Sequence, residues 1–365
     1  MIVTKMDTDT APVREGEELD HAALRQYLRG RITGVEDGME IRQFTGGRSN
    51  LTYLIRAGDT DYVLRRAPLG PLAPRAHDMV REYRLLERLH PVFPLVPEVI
   101  ILCEDPSVIG APFYLMERRH GVVVRTTMPD EFAGVADAEA RVSRAFVDCL
   151  AGMHSLDVFG TGLVSIGRPE GFLERHLHGW IDRWYRAEIE PLPEMDRVIF
   201  RLTDEMPVSG RASLIHNDFR VDNVMLDPHD AGRIIAVLDW EMATVGDPLV
   251  DLGLTLCYYL QRGAPGEWRQ PLFDKPGWLS REEFLERYAR QTGFDLSHIG
   301  WYEVFGILKL AVILRQIHFR YVRGQTRDQR FRNYHLRIRA LVEAAAELVA
   351  RMDRGSPVAF ATASA

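Results

Sequence analysis

HNDFRVDNVMLDPHDAGRIIAVLDWE, residues 216–241, decides how this chain is read. Val224 to Leu226 and Ile234 to Leu238 are short apolar runs rich in β formers, and DPHDAG between them is rich in turn formers. The segment therefore predicts a β-hairpin. Folding it back brings Asn223 and Asp239, sixteen residues apart in sequence, side by side at its open end, with Asp218 one short loop away. Phosphoryl transfer from a nucleotide needs a carboxylate to orient or deprotonate the attacking hydroxyl, and hard oxygen ligands to hold Mg²⁺ against the phosphates. Asp218 fits the first role, Asn223 and Asp239 the second. Taken singly, Asp and Asn are common turn residues; their joint spacing carries the reading.

The step from Asp218 to Asn223, with His216 two residues ahead, is also that of a protein-kinase catalytic loop, and Asp239 stands where such kinases put the Asp of DFG. HNDF, LDWE and the following GDPLVDLG at 246–253 make a closer match. They resemble the aminoglycoside phosphotransferase and choline kinase family, whose loop reads HGDFxxxN and whose metal motif reads IDWE or LDWE. Most similar are the small-molecule kinase domains that stand alone in bacteria and are fused to acyl-CoA dehydrogenases in animals. The resemblance runs roughly from Asp20 to Met352 and is strongest over Leu214 to Gly253. Asn217, where the family has Gly, is its main departure.

The resemblance implies an α+β, two-lobed protein-kinase-like fold, with a small N-terminal lobe built on an antiparallel sheet and a larger, mainly helical C-terminal lobe. The expected division is 20–117 for nucleotide binding and 118–354 for catalysis and acceptor binding, with 355–365 an aperiodic tail. It implies ATP and Mg²⁺ as cofactors. It also places the phosphate-contacting cation at Arg65, with Arg66 as the competing choice on the opposite face of the strand. Its acidic partner falls at Glu82, with Glu87 the alternative. The adenine-binding hinge falls at Met116, Glu117 and Arg119.

The residues themselves support that order. Leu19 to Leu28 reads as a helix capped by Asp20. Ile41–Phe44, Thr52–Ile55 and Tyr62–Leu64 read as strands, and residues 77–90 as a helix. Between the first two strands Gly46, Gly47 and Ser49 can approach a phosphate, although an ordinary hairpin turn reads the same way. Helices are expected over 139–153, 171–186, 196–205, 248–261, 281–291, 301–322 and 333–352. Asp247 before Pro248 reads as an N-cap, Asp251 as a buried support for the catalytic loop, and His216 as a brace for it. Glu241 is a candidate for water-mediated metal contact.

Composition fits an ordinary enzyme. At 365 residues and 46% hydrophobic, the chain can bury a large core. A net charge of -7 argues against general nucleic-acid affinity. Cys103, Cys149 and Cys257 are odd in number, with no CxxC pair, so neither a disulfide framework nor a zinc site is suggested. The N-terminal residues lack an apolar leader and no stretch suits a membrane helix, so a soluble cytoplasmic protein is expected. Oligomeric state is not legible.

Only eight residues separate Asp239 from Pro248, which leaves no room for a long activation segment and favours a small-molecule hydroxyl acceptor. From Lys309 to Arg339 there are nine Lys or Arg and one acid, Asp328. Arg320, Arg323, Arg327 and Arg330 recur at helical steps that Gly324 can interrupt, and are expected either to face solvent or to share a face lining the acceptor site. In the second case they would attract an anion and repel a polycationic aminoglycoside. The expected function is phosphorylation of a hydroxyl on an anionic metabolite, with a hydroxyacyl-CoA as candidate. The alternatives are an aminoglycoside or amino-alcohol kinase, a non-catalytic nucleotide-binding scaffold, and a metal-dependent phosphohydrolase.

Overall fold

The computed structural model describes residues 9–45, 50–68, 78–264 and 271–353. The chain divides into two compact units, on either side of the peptide between His120 and Gly121.

The N-terminal unit carries helix α1 (His21–Leu28), started by the Asp20 carboxylate accepting the Ala23 amide at 2.9 Å. Its sheet contains β1 (Thr10–Ala11), β2 (Met39–Phe44), β3 (Leu51–Ala57), β4 (Thr60–Arg66), β5 (Val99–Cys103) and β6 (Phe113–Glu117). These pair antiparallel in the order β1-β2-β3-β4-β6-β5. Period-two alternation puts Tyr53, Ile55, Tyr62 and Leu64 into one core with Leu24, Leu28, Phe113 and Leu115. Helix α2 (Met79–Leu89) begins at the Asp78 cap. The sequence pattern missed β1, which is two residues long, and β5, whose VIILC lacks polar alternation. Gly46, Gly47, Ser49 and the 355–365 tail lie outside the described residues.

The C-terminal unit is built from α3 (Ala138–His154), α4 (Phe172–Arg186), α5 (Pro193–Asp204), α6 (Pro248–Tyr259), α7 (Arg281–Thr292), α8 (Ile299–Val322) and α9 (Tyr334–Asp353). Two small antiparallel ribbons accompany them: β7 (Ser213–Ile215) with β10 (Thr244–Gly246), and β8 (Val224–Asp227) with β9 (Asp230–Val237). The second ribbon is the expected hairpin, with a tighter turn. Asp227 pairs with Asp230, and two register shifts absorb the residues read from sequence as loop.

Every residue of α6 except Tyr258 is buried. It can lie deep because α8 crosses it where both helices are reduced to glycine. A Cβ on Gly253 would sit 2.2 Å from the Tyr302 carbonyl oxygen, and one on Gly306 would sit 2.7 Å from that of Gly253. This fixes α6 beneath the loop that follows β7.

Candidate active site

Asp251, in the first turn of α6, organises that loop. Its two carboxylate oxygens accept the backbone amides of His216 at 2.6 Å and Asn217 at 2.9 Å, and His154 Nε2 lies 3.3 Å away. Burial alone would raise the Asp251 pKa, but these hydrogen bonds and the nearby imidazoles hold it below the ordinary carboxylate range. Both nitrogens of His216 are spent on backbone: Nε2 meets the Leu238 carbonyl at 2.9 Å and Nδ1 accepts the Asp218 amide at 3.3 Å. His216 is thereby a tie between the loop and the end of β9. Asp247 caps α6 by accepting the Leu249 amide at 2.9 Å, and Ser209 and Tyr302 each donate to it at 2.8 Å.

Asn217 has φ +64. A left-handed position explains why a Gly suits it, and Asn is one of the few other residues that tolerate it. Here the amide is anchored at both ends, donating to the Met242 carbonyl at 3.1 Å and accepting from Lys309 Nζ at 2.9 Å. Lys309 is completely buried in α8 and lies 5.7 Å from the Trp180 ring centroid; burial lowers its pKa to about 8. Neither Lys309 nor this contact was legible from spacing.

The loop then presents Asp218. Asn223 Nδ2 donates to the Asp218 carbonyl at 2.9 Å and to its carboxylate at 3.1 Å. The Leu238 amide donates to the Asn223 carbonyl at 2.8 Å, which closes the hairpin mouth one residue before Asp239. Asp239 also has φ +67. Its charge is felt at Asp218, whose pKa is raised chiefly by burial, opposed by Arg220 and His216 and reinforced by Asp239. The structure thus brings Asp218, Asn223 and Asp239 together. With its amide nitrogen engaged, Asn223 keeps its side-chain oxygen available, so Asn223 and Asp239 make a two-oxygen donor set suited to Mg²⁺, which retains waters and phosphate oxygens in its shell. Among the described residues there is no group of three or more His, Cys, Asp or Glu that could hold a metal ion. Glu241 follows in the short turn Trp240–Met242.

Two further residues join Asp218. The Tyr258 phenol and the Arg220 guanidinium both act on its carboxyl, and Arg220, paired with Asp222 through Nε at 2.9 Å, lies 4.9 Å from the Tyr258 ring centroid. Arg220 sits inside the motif and was within reach of the sequence; Tyr258 carries no signal outside the fold.

In the N-terminal unit, Arg65 Nη2 lies 3.2 Å from Glu82, and both are largely buried. Arg66 faces the other way, with its Nη1 donating to the Ile109 carbonyl at 2.7 Å. At the end of β6, the Glu117 amide donates to the Glu98 carbonyl at 2.9 Å, and the Glu117 side chain accepts Arg119 Nε at 2.7 Å. Met116 pairs with Val63 inside the sheet.

Of the two arrangements open for the basic stretch, the structure shows the solvated one. Helix α8 stops at Val322, Arg323 is its C-cap, and Gly324 at φ +69 turns the chain away. Arg320, Arg323, Arg327 and Arg330 therefore share no helical face. All four are exposed, Arg323 stacks on Phe319 at 5.0 Å and Arg330 pairs with Asp328 at 2.8 Å. None lines the cavity that opens beside Tyr258, whose arginines are Arg125, Arg220, Arg262 and Arg337.

Residues 40–290 match the profile described as the phosphotransferase enzyme family. The mouse protein acyl-CoA dehydrogenase family member 10 is 35% identical over 323 residues, covering 87% of this chain and 30% of its own length. The human acyl-CoA dehydrogenase family member 11 is 32% identical, covering 88% of this chain and 42% of its own. The chain thus spans less than half of either relative. Among solved structures, a Ralstonia eutropha protein given as a candidate aminoglycoside phosphotransferase is 29% identical with a TM-score of 0.79, over 92% of this chain and 99% of that one. Choline kinase from Cryptosporidium parvum shares the fold at 12% identity, with a TM-score of 0.63 over 93% and 98%. With its profile spanning more than two thirds of the sequence, the chain belongs to the phosphotransferase enzyme family.

Proposed function

We propose that the chain transfers the γ-phosphoryl group of ATP, with Mg²⁺, to a hydroxyl of a small anionic metabolite, with a hydroxyacyl-CoA as the specific candidate. The observation that carries this is the Asn223 amide held 3.1 Å from the Asp218 carboxylate at the mouth of the β8–β9 ribbon. Asp218 orients the acceptor hydroxyl and takes its proton as the new O–P bond forms and the bond to the β-phosphate oxygen breaks. A buried carboxylate with a raised pKa is a better proton acceptor than a solvated one. Asn223 and Asp239 would hold Mg²⁺, which supplies charge neutralisation on the phosphates. Arg65, positioned by Glu82, is assigned to the α and β phosphates. The adenine is assigned to the backbone after β6, at the Glu117 carbonyl and from Arg118 onward, because the Glu117 amide is already engaged.

Choline and aminoglycosides, named in similar proteins, are cations. A cavity lined by Arg125, Arg220, Arg262 and Arg337 disfavours them and favours an anion. A two-metal phosphohydrolase would need a cluster of ligands that the described residues lack.

The test is ATP consumption and phosphorus NMR across hydroxyacyl-CoA and aminoglycoside arms. Asp218→Ala is expected to lower kcat by about 10²- to 10⁴-fold with nucleotide affinity near that of the unmodified protein. Asp239→Ala is expected to weaken Mg-nucleotide binding itself. Full turnover by Asp218→Ala removes that residue from its role.

A further inference from the structure

The C-terminal unit contains a cavity of about 330 Å³, at the small end of the range for enclosed ligands. One side is apolar: Leu310, Ile313, Leu314 and Ile317 recur at helical steps along α8, opposite Phe146 and Phe273. The other side is cationic, and its arginines are not equivalent. Arg220 is neutralised by Asp222. Arg262 lies 3.3 Å from the buried Glu303, which also accepts Arg281 Nε at 2.6 Å. Arg337, on α9, has no carboxylate partner among the described residues, and its buried Nε has no hydrogen-bond partner. The Arg262 Nε is likewise buried and unbonded.

A half-buried guanidinium without a counter-ion costs stability, and a buried donor without an acceptor adds to that cost. Such buried donors recur in this unit, at Arg201 Nε and Arg315 Nη1, although Arg315 also donates to the carbonyls of Ala187 at 3.1 Å and Glu190 at 2.8 Å. Arg337 differs from Arg220 and Arg262 in lining the cavity with no carboxylate partner among the described residues. Tyr258 and Arg220 line the cavity with Arg337, and both also act electrostatically on Asp218.

We propose that the cavity takes a compact hydroxylated acid, with its free oxyanion, a carboxylate or a phosphate monoester, on Arg337 and its carbon skeleton along the α8 stripe. This rests on the phosphotransferase reading above for the fate of the hydroxyl, but the anion subsite stands on Arg337 and the cavity alone. It narrows the acceptor proposed above from a hydroxyacyl-CoA to the free hydroxy acid, because a thioester carbonyl accepts a hydrogen bond and leaves the guanidinium charge unneutralised. A planar guanidinium meets a carboxylate through two parallel hydrogen bonds, which an ester cannot reproduce.

The experiment is calorimetric binding without nucleotide, using mixed hydroxyhexanoate isomers, their methyl esters, their CoA thioesters and glycerol phosphate as separate arms. The expected result is that at least one free anion binds and the methyl esters bind about ten- to a hundredfold more weakly. Arg337→Gln is expected to erase that difference, Arg337→Lys to restore part of it, and Arg332→Gln, outside the cavity, to leave it unchanged. Because no carboxylate among the described residues pairs with Arg337, Arg337→Gln is expected to keep or raise the melting temperature, which separates a lost subsite from a lost fold. If hydroxyhexanoate and glycerol phosphate both bind, competition between them is expected, and their relative affinities identify the preferred oxyanion. Equal binding of acid and ester, unchanged discrimination in Arg337→Gln, or no binding of either free anion overturns the proposal. Failure of the phosphotransferase reading looks different: the free acid would bind through Arg337, yet no arm would give a phosphorylated product.

Discussion

The catalytic loop with its hairpin, 216–241, and the basic stretch, 309–339, are of similar length and both rich in ionisable groups, yet they treat charge in opposite ways. Around the loop, polar groups have assigned partners: Asp251 takes two backbone amides, His216 spends both ring nitrogens, and Asn217 is tied at both ends of its amide. Along the basic stretch the same charge is sorted by depth. Lys309 and Arg315 are buried against polar partners, Arg320, Arg323 and Arg327 face water, and Arg337 is half-buried with no counter-ion among the described residues. Fixed geometry comes from partners that the chain supplies, whereas an unmatched buried charge marks a place where something else supplies them.

The largest effect that would sharpen this contrast is expected at Asp251. Asp251→Ala leaves the His216 and Asn217 amides buried without acceptors, and unfolding titrations are expected to record a loss of about 3–5 kcal/mol. Asp251→Asn, which keeps one acceptor oxygen, should lose less. If Asp251→Ala is as stable as the unmodified protein, the loop does not depend on these bonds and the comparison fails.

Lys309 gives a pH-dependent test of the same idea. Its charge faces Asp251 and Asp218, which favour it, and Arg183 and the buried His176, which do not, but burial dominates and the folded pKa falls to about 8 from 10.5. Below pH 8 the lysine is protonated in both states, and the folded protein bears the full cost of burying the charge. Between about 8 and 10.5 the unfolded chain binds more protons than the folded one, so stability rises with pH, by up to about 3 kcal/mol at the upper end. The stability difference between the unmodified protein and Lys309→Met, followed by denaturant titration across this window, is expected to shift in favour of the lysine as pH rises. A flat difference would place the Lys309 charge in a solvated setting.

The smallest effect is expected at the exposed arginines. Arg320→Gln, Arg323→Gln and Arg327→Gln should each change stability by less than about 0.5 kcal/mol and leave acceptor affinity unaltered. A substantial loss of acceptor affinity in any of them would return the exposed arm of the basic stretch to the binding surface.

How much of this was legible depends on distance along the chain. The hairpin, its three oxygen-bearing residues and the Asp247 cap are set by contacts within about twenty residues, where period-two alternation and turn chemistry act directly. The turn itself came out shorter than its composition suggested, because bulges can absorb residues that read as loop. The Arg65–Glu82 pair was reached through resemblance and not through periodicity. The helical repeat of Arg320, Arg323 and Arg327 left two arrangements open, and the solvated one results because Gly324 at positive φ ends the helix that would have aligned them.

By itself, the sequence determined the order of elements, the convergence of Asp218, Asn223 and Asp239, and the membership of a phosphotransferase family, since each rests on local spacing or on a motif. Only the tertiary structure decided which cations are buried, that Lys309 secures a left-handed Asn217, and that Tyr258 and Arg337 share a cavity. Those contacts join residues as far apart as Asn217 and Lys309. Burial is a property of the packed chain, and no count of charges along a sequence shows which of them lose their water.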